Sequence, residues 1–132
     1  MMKEFWINLP VRDVQRSKQF FLSLGFHFNE KMGNSDRSAC LVIGDKNVVV
    51  MLFDEPTFRS FTNCEITETL KTAEVLLSVD AQSKEEVDEM MKKAVDAGGT
   101  SNHIPYEMVG HLYGGVFSDL DGHRWNVLFM KS

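Results

Sequence analysis

Asn8-Leu9-Pro10-Val11-Arg12-Asp13-Val14-Gln15-Arg16-Ser17-Lys18-Gln19-Phe20-Phe21-Leu22-Ser23-Leu24-Gly25-Phe26 is the stretch whose reading decides the fold. It describes a strand handing over to a helix. The apolar run over residues 5–11 closes at Asp13, a side chain suited to accept a free amide hydrogen at a helix N-terminus. Val14, Phe20, Phe21 and Leu24 then fall near helical spacing, and Gly25 supplies a left-handed stop. Residues 26–31, 38–43 and 48–53 read as three further strands, the last two joined by a turn at Gly44-Asp45-Lys46.

Working outward, residues 54–72 lose the periodicity: Pro56, Asn63 and several threonines interrupt it, with Phe58 and Phe61 the apolar exceptions. This segment reads as a connector with one short helical turn. The first pattern then begins again. Residues 73–80 form a strand, and Ser83-Lys84-Glu85-Glu86 is a capping box. Val87, Met90, Met91, Ala94 and Val95 make the apolar stripe of a second helix, which Gly98-Gly99 ends. Strands follow at 100–106, 114–118 and 124–130, with Asp121-Gly122 turning into the last. Strand, helix and three strands, twice over, is an internal repeat. The expected fold is α+β: two tandem β-α-β-β-β modules, about 1–55 and about 72–132, joined by a connector at about 56–71 within one domain.

Composition bounds the function. The 132 residues suit one domain, and 43% apolar with 25% charged residues is the balance of a globular protein. A formal charge of −5 argues against nucleic acid and anionic membranes as partners, since both select basic faces. No run approaches the ~18 apolar residues of a membrane span, and the N-terminal residues do not read as a signal peptide. Cys40 and Cys64 are too few for a disulfide framework, and Cys40, inside an apolar run, reads as a buried thiol. A reducing cytoplasm is the expected compartment.

Three segments resemble the vicinal oxygen chelate superfamily of glyoxalases, bleomycin-resistance proteins and extradiol dioxygenases. The stretch quoted above, ending Leu24-Gly25-Phe26, is similar to the family's opening strand and helix. Ser78-Val79-Asp80, leading into a helix that ends Ala97-Gly98-Gly99, resembles the start of its second half. Phe117-Ser118-Asp119-Leu120-Asp121-Gly122-His123 with Arg124-Trp125-Asn126 resembles its closing turn and last strand, with Leu120 where a proline is usual. The resemblance implies mixed sheets curling around a cleft, and a homodimer.

In the family's metalloenzymes four side chains on four strands hold a divalent cation. By resemblance these positions fall on Trp6, Met51, Glu74 and Asn126. Indole offers only an N–H donor, and a thioether is a poor partner for Zn, Ni, Mn or Fe(II). Glu74 with one amide oxygen from Asn126 is not a metal site, so the reading is metal-free and without a cofactor. The four histidines, His27, His103, His111 and His123, include no pair at i,i+2 or i,i+4. His27 and His123 are expected to face solvent. His111 lies in the glycine-rich stretch 108–115, which reads as a loop able to carry function. Trp125 belongs on the core face of its strand.

Period-2 alternation places Trp6 with Asn8, Glu74 with Leu76 and Ser78, and Arg124 with Asn126 and Leu128. The expected ligand-binding set is therefore Trp6, Asn8, Met51, Glu74, Leu76, His111, Arg124 and Asn126. A ring, a thioether, a carboxylate and an amide suit an aromatic or cationic small molecule. Three readings stay open: a sequestering protein, an enzyme with Glu74 as general base or as ligand in a differently placed metal site, and a collapsed cleft. In the last, Trp6 fills space and Glu74 pairs with Asn126 or Arg124.

Overall fold

A computed structural model describes residues 1–107 and 111–130, and the side chains of His103, Ile104 and Tyr106 lie outside that description. The chain divides into two compact units, Met1–Ile66 and Thr67–Ser132. Each contains one strand-helix-three-strand module, the expected α+β repeat.

In the first unit β1 (Trp6–Val11), α1 (Val14–Ser23), β2 (His27–Phe28), β3 (Ser38–Ile43) and β4 (Val48–Asp54) build a sheet of order β1-β4-β3-β2. β1 runs parallel to β4, and the remaining pairs are antiparallel. The Asp13 carboxylate accepts the Arg16 amide at 3.1 Å and caps α1, as its position predicts. Gly25, at φ +92°, ends the helix with Phe26 N–H donating to the Phe21 carbonyl at 3.0 Å. Val14, Phe20 and Phe21 of α1 are buried, as are Leu9 and Val11 of β1, Ala39 and Leu41 of β3, and Val50 and Leu52 of β4. The alternation leaves Trp6, Asn8, Cys40 and Met51 on the opposite, open face.

Two elements differ from expectation. β2 is two residues long rather than six, because Asn29 turns the chain, its side chain accepting the Lys31 amide at 2.9 Å. The connector holds a full helix, α2 (Glu55–Thr62), rather than one turn. Asp54 caps it, accepting the Thr57 amide at 3.0 Å; the Thr57 side-chain hydroxyl, with smaller help from that amide and the Arg37 charge, holds the Asp54 carboxyl below its usual range. Pro56 lies in the first turn, where a missing N–H leaves nothing unsatisfied, so it starts the helix instead of breaking it.

In the second unit β5 (Leu76–Asp80), α3 (Lys84–Asp96), β6 (Thr100–Glu107), β7 (Leu112–Ser118) and β8 (Arg124–Met130) form a sheet of order β5-β8-β7-β6. β5 is parallel to β8, and the other pairs are antiparallel. Ser83 Oγ accepts the Glu86 amide at 3.1 Å, while the Glu86 carboxylate reaches the Gln82 amide, one residue before the reciprocal partner expected of a capping box. Val87, Met91 and Ala94 pack α3 on the face bearing Phe117, Trp125 and Val127, all buried. Among the described residues no helix is long and apolar enough to cross a membrane.

Candidate functional site

On the open face of the first module, Asn8 is the register partner of Met51 on β4, and Cys40 flanks Met51 from β3. Trp6 begins β1 and is 53% exposed. Met51 is half-buried under the loop that follows β2: a methyl on Gly33 would stand 2.7 Å from its Cε. Cys40 is buried, and that burial raises its thiol pKa against the opposing effect of the Asn29 backbone amide, so the thiol is a packing group.

In the second module Ser78 of β5 pairs in register with Asn126 of β8, the same arrangement as Asn8 with Met51. Asn126 is 8% exposed; its Nδ2 donates to Ser78 Oγ at 3.3 Å, and its Oδ1 is buried without a hydrogen-bond partner. By this internal register the counterpart of Trp6 is Leu76, itself 53% exposed. Glu74 precedes β5, which starts at Leu76 rather than at residue 73, and it is exposed.

Arg124 shares the open face, with its guanidinium given over to backbone. It donates to the carbonyls of Thr69, Gly122 and Leu70, tying the segment before β5 to the turn before β8. His111 is exposed just ahead of β7; residues 108–110 of the expected loop lie outside the described residues. Gly114 and Gly115 of that stretch belong to β7 and are buried. A methyl on Gly115 would meet Met91 Sδ at 3.2 Å, so this glycine permits close packing of helix on sheet.

His27 is exposed as expected, but His123 is partly buried beside Asp119. Trp125, 1% exposed, is core, and its Nε1 donates to the Asp119 carboxylate at 3.1 Å.

Among the described residues no three His, Cys, Asp or Glu side chains stand close enough to hold a metal ion. The four side chains that resemblance assigns to the family's metal positions do not fit such an ion either. An indole, a thioether, an amide whose nitrogen is tied to Ser78, and a carboxylate ahead of its strand do not make a donor set.

The sequence reading passed over Asp80. It continues the Leu76–Ser78 face of β5, and period-2 alternation carried one step further would have found it. At the carboxyl ends of β5 and β8 a cavity of about 480 Å³ is lined by Ser78, Asp80, Gln82, Leu128, Phe129 and Met130 among others.

Comparison with known proteins agrees with this architecture. Residues 4–44 match the family described as bleomycin resistance protein-like N-terminal. A hypothetical protein from S. aureus is 33% identical, with 98% of this chain and 95% of that one covered and a TM-score of 0.86. A glyoxalase/bleomycin resistance protein/dioxygenase family enzyme from Burkholderia phytofirmans PsJN is 23% identical over 96% of this chain and 97% of that one, with a TM-score of 0.82. A glyoxalase-related enzyme from Fulvimarina pelagi shares the fold at 18% identity, covering 98% of this chain and 88% of that one, with a TM-score of 0.80. None of the curated proteins compared with the chain matches it. With both repeats, the opening motif and full-length similarity in agreement, the chain belongs to the vicinal oxygen chelate superfamily of glyoxalase/bleomycin-resistance/dioxygenase proteins.

Proposed function

We propose that this chain is a small-molecule-binding member of the superfamily that works without the family's divalent metal. The observation that carries the reading is Asn126. At the last-strand metal position it offers a neutral amide, with the nitrogen tied to Ser78 and the oxygen buried without a partner. Trp6 and Met51 cannot substitute as ligands. Taken separately, the open face of the first module offers ring and thioether and that of the second offers hydroxyl and aliphatic surface, each a lining that suits an aromatic or cationic molecule. The match to a bleomycin resistance protein-like family favours sequestration over turnover. Assembly as a homodimer belongs to the same proposal and is read as a mass of twice 15.1 kDa by light scattering.

A thermal-shift series tests the core of it. An aromatic or cationic compound should raise the melting temperature, because binding at a hundredfold excess over Kd stabilises the native state by about 2.7 kcal/mol. Zn, Ni and Mn should leave the temperature unchanged. Stoichiometric metal in protein purified without chelator would overturn the proposal, as would stabilisation by those ions alone.

A further inference from the structure

We infer that the cavity at the carboxyl ends of β5 and β8 recognises a protonated amine whose apolar body carries an oxygen acceptor close to the charge. This deepens the binding function proposed above, on which it rests, by naming a ligand class for the second module.

Asp80 is the one ionisable side chain among the residues lining the cavity. It has no ion-pair partner among the described residues; its Oδ2 accepts only from the Gln82 side-chain Nε2, at 3.2 Å. Arg124, at the start of the same face of β8, donates to three backbone carbonyls and is not ion-paired to Asp80. The remaining acceptor positions of the carboxylate are therefore open to a ligand, and a chain of net charge −5 attracts cations to it.

Ser78 supplies the complementary donor. Its oxygen accepts the Asn126 amide, so its hydroxyl hydrogen is left to donate. Ser78 and Asp80 are two residues apart on one face of β5, about 6–7 Å along the strand. One small molecule spans that separation, donating to the carboxylate and accepting from the hydroxyl. Leu128, Phe129 and Met130 provide the apolar wall, and about 480 Å³ lies within the range of small-molecule sites.

Phenylethanolamine and its uncharged diol analogue, titrated into the full chain and followed by amide chemical shifts, test the inference. The amine should perturb residues 78–82 and 128–130, and the diol should bind more weakly by roughly tenfold or more, since the charged hydrogen bond is absent. Asp80→Asn should lower the amine's affinity by a similar factor with an unchanged melting temperature. Ser78→Ala should cost on the order of threefold.

Equal binding of amine and diol, or shifts confined to other residues, would overturn the inference. So would β5 amides that respond to protein concentration and not to the amine, a result that assigns this edge strand to a second copy of the chain. If other aromatic or cationic compounds stabilise the protein and phenylethanolamine does not, this inference fails and the proposed function stands. If nothing in the panel binds, both fail.

Discussion

The Asp119 carboxylate is 6% exposed, and its two oxygens accept three donors: the Asp121 amide at 2.9 Å, the His123 amide at 3.0 Å and Trp125 Nε1 at 3.1 Å. One side chain thus sets the closing turn and anchors the largest core residue. Asp119→Ala leaves those donors without an acceptor, at roughly 1–3 kcal/mol each where buried, so urea denaturation should show a loss of about 3 kcal/mol or more. Burial raises the Asp119 pKa, with the His123 charge and the Trp125 hydrogen bond opposing it. An acid raised in the folded state binds its proton more readily there than in the unfolded chain. Its contribution to stability is therefore greatest below the unfolded pKa and declines as pH rises through the folded one. Asp119→Asn removes that decline, so the stability difference between wild type and variant should widen in favour of wild type on acidification, measured from pH 7 downward.

At the scale of elements, turns and ties between helix and sheet carry comparable weight. Gly122, at φ +81°, turns the chain into β8 directly over Thr69, where an added methyl would lie 2.3 Å from Oγ1. That hydroxyl is not free to swing away, because it donates to the Asp121 carbonyl at 2.6 Å. Gly44, at φ +75° between β3 and β4, has nothing within 4 Å of such a methyl. Gly44→Ala should therefore cost about 1 kcal/mol from backbone conformation alone. Gly122→Ala should cost more than twice that, with the ranking read from paired chemical denaturation curves.

Across the second module α3 is tied to β7 by Tyr113, whose hydroxyl donates to Asp88 at 2.6 Å. That hydrogen bond, with smaller help from burial and neighbouring carboxylates, pushes the phenol up to about 12. The neutral phenol is the bonded form, so the tie is complete below the ordinary value near 10 and is lost as pH climbs through about 12. Ultraviolet titration in a Tyr106→Phe background should show late ionisation, and Asp88→Asn should bring it back towards the ordinary range.

At the scale of the whole molecule, charge decorates the fold more than it supports it. Lys84–Glu107, Lys92–Asp96 and Lys93–Glu89 are all substantially exposed ion pairs, and Lys18–Glu30 is exposed on its acidic side. Exposed pairs contribute about 0–1 kcal/mol each, and salt screens them along with the self-repulsion of a −5 chain. These effects oppose one another, so raising sodium chloride from low to molar concentration should move the melting temperature by only a few degrees. A collapse of stability at high salt would instead make ion pairing a principal support of the fold.

The sequence by itself determined the repeat, the helix starts at Asp13 and Ser83, the stops at Gly25 and Gly98, and the core faces that hold Phe21 and Trp125. Those features depend on neighbours within a turn of helix or a pleat of strand, which is the range over which periodicity and capping operate. It also carried the expectation that Trp6 and Met51 hold no metal ion, because the chemistry of an indole and a thioether needs no coordinates. Tertiary structure decided the remainder. Arg124 reaches Thr69 and Leu70 across more than 50 residues of chain, and Asn126 meets Ser78 across 48. Glu74 stays ahead of β5, Asp119 is buried, and Asp80 comes to line a cavity. In each case the partner of a polar group is set by strand register and packing between distant segments, and no local pattern encodes which carbonyl or hydroxyl a side chain will find.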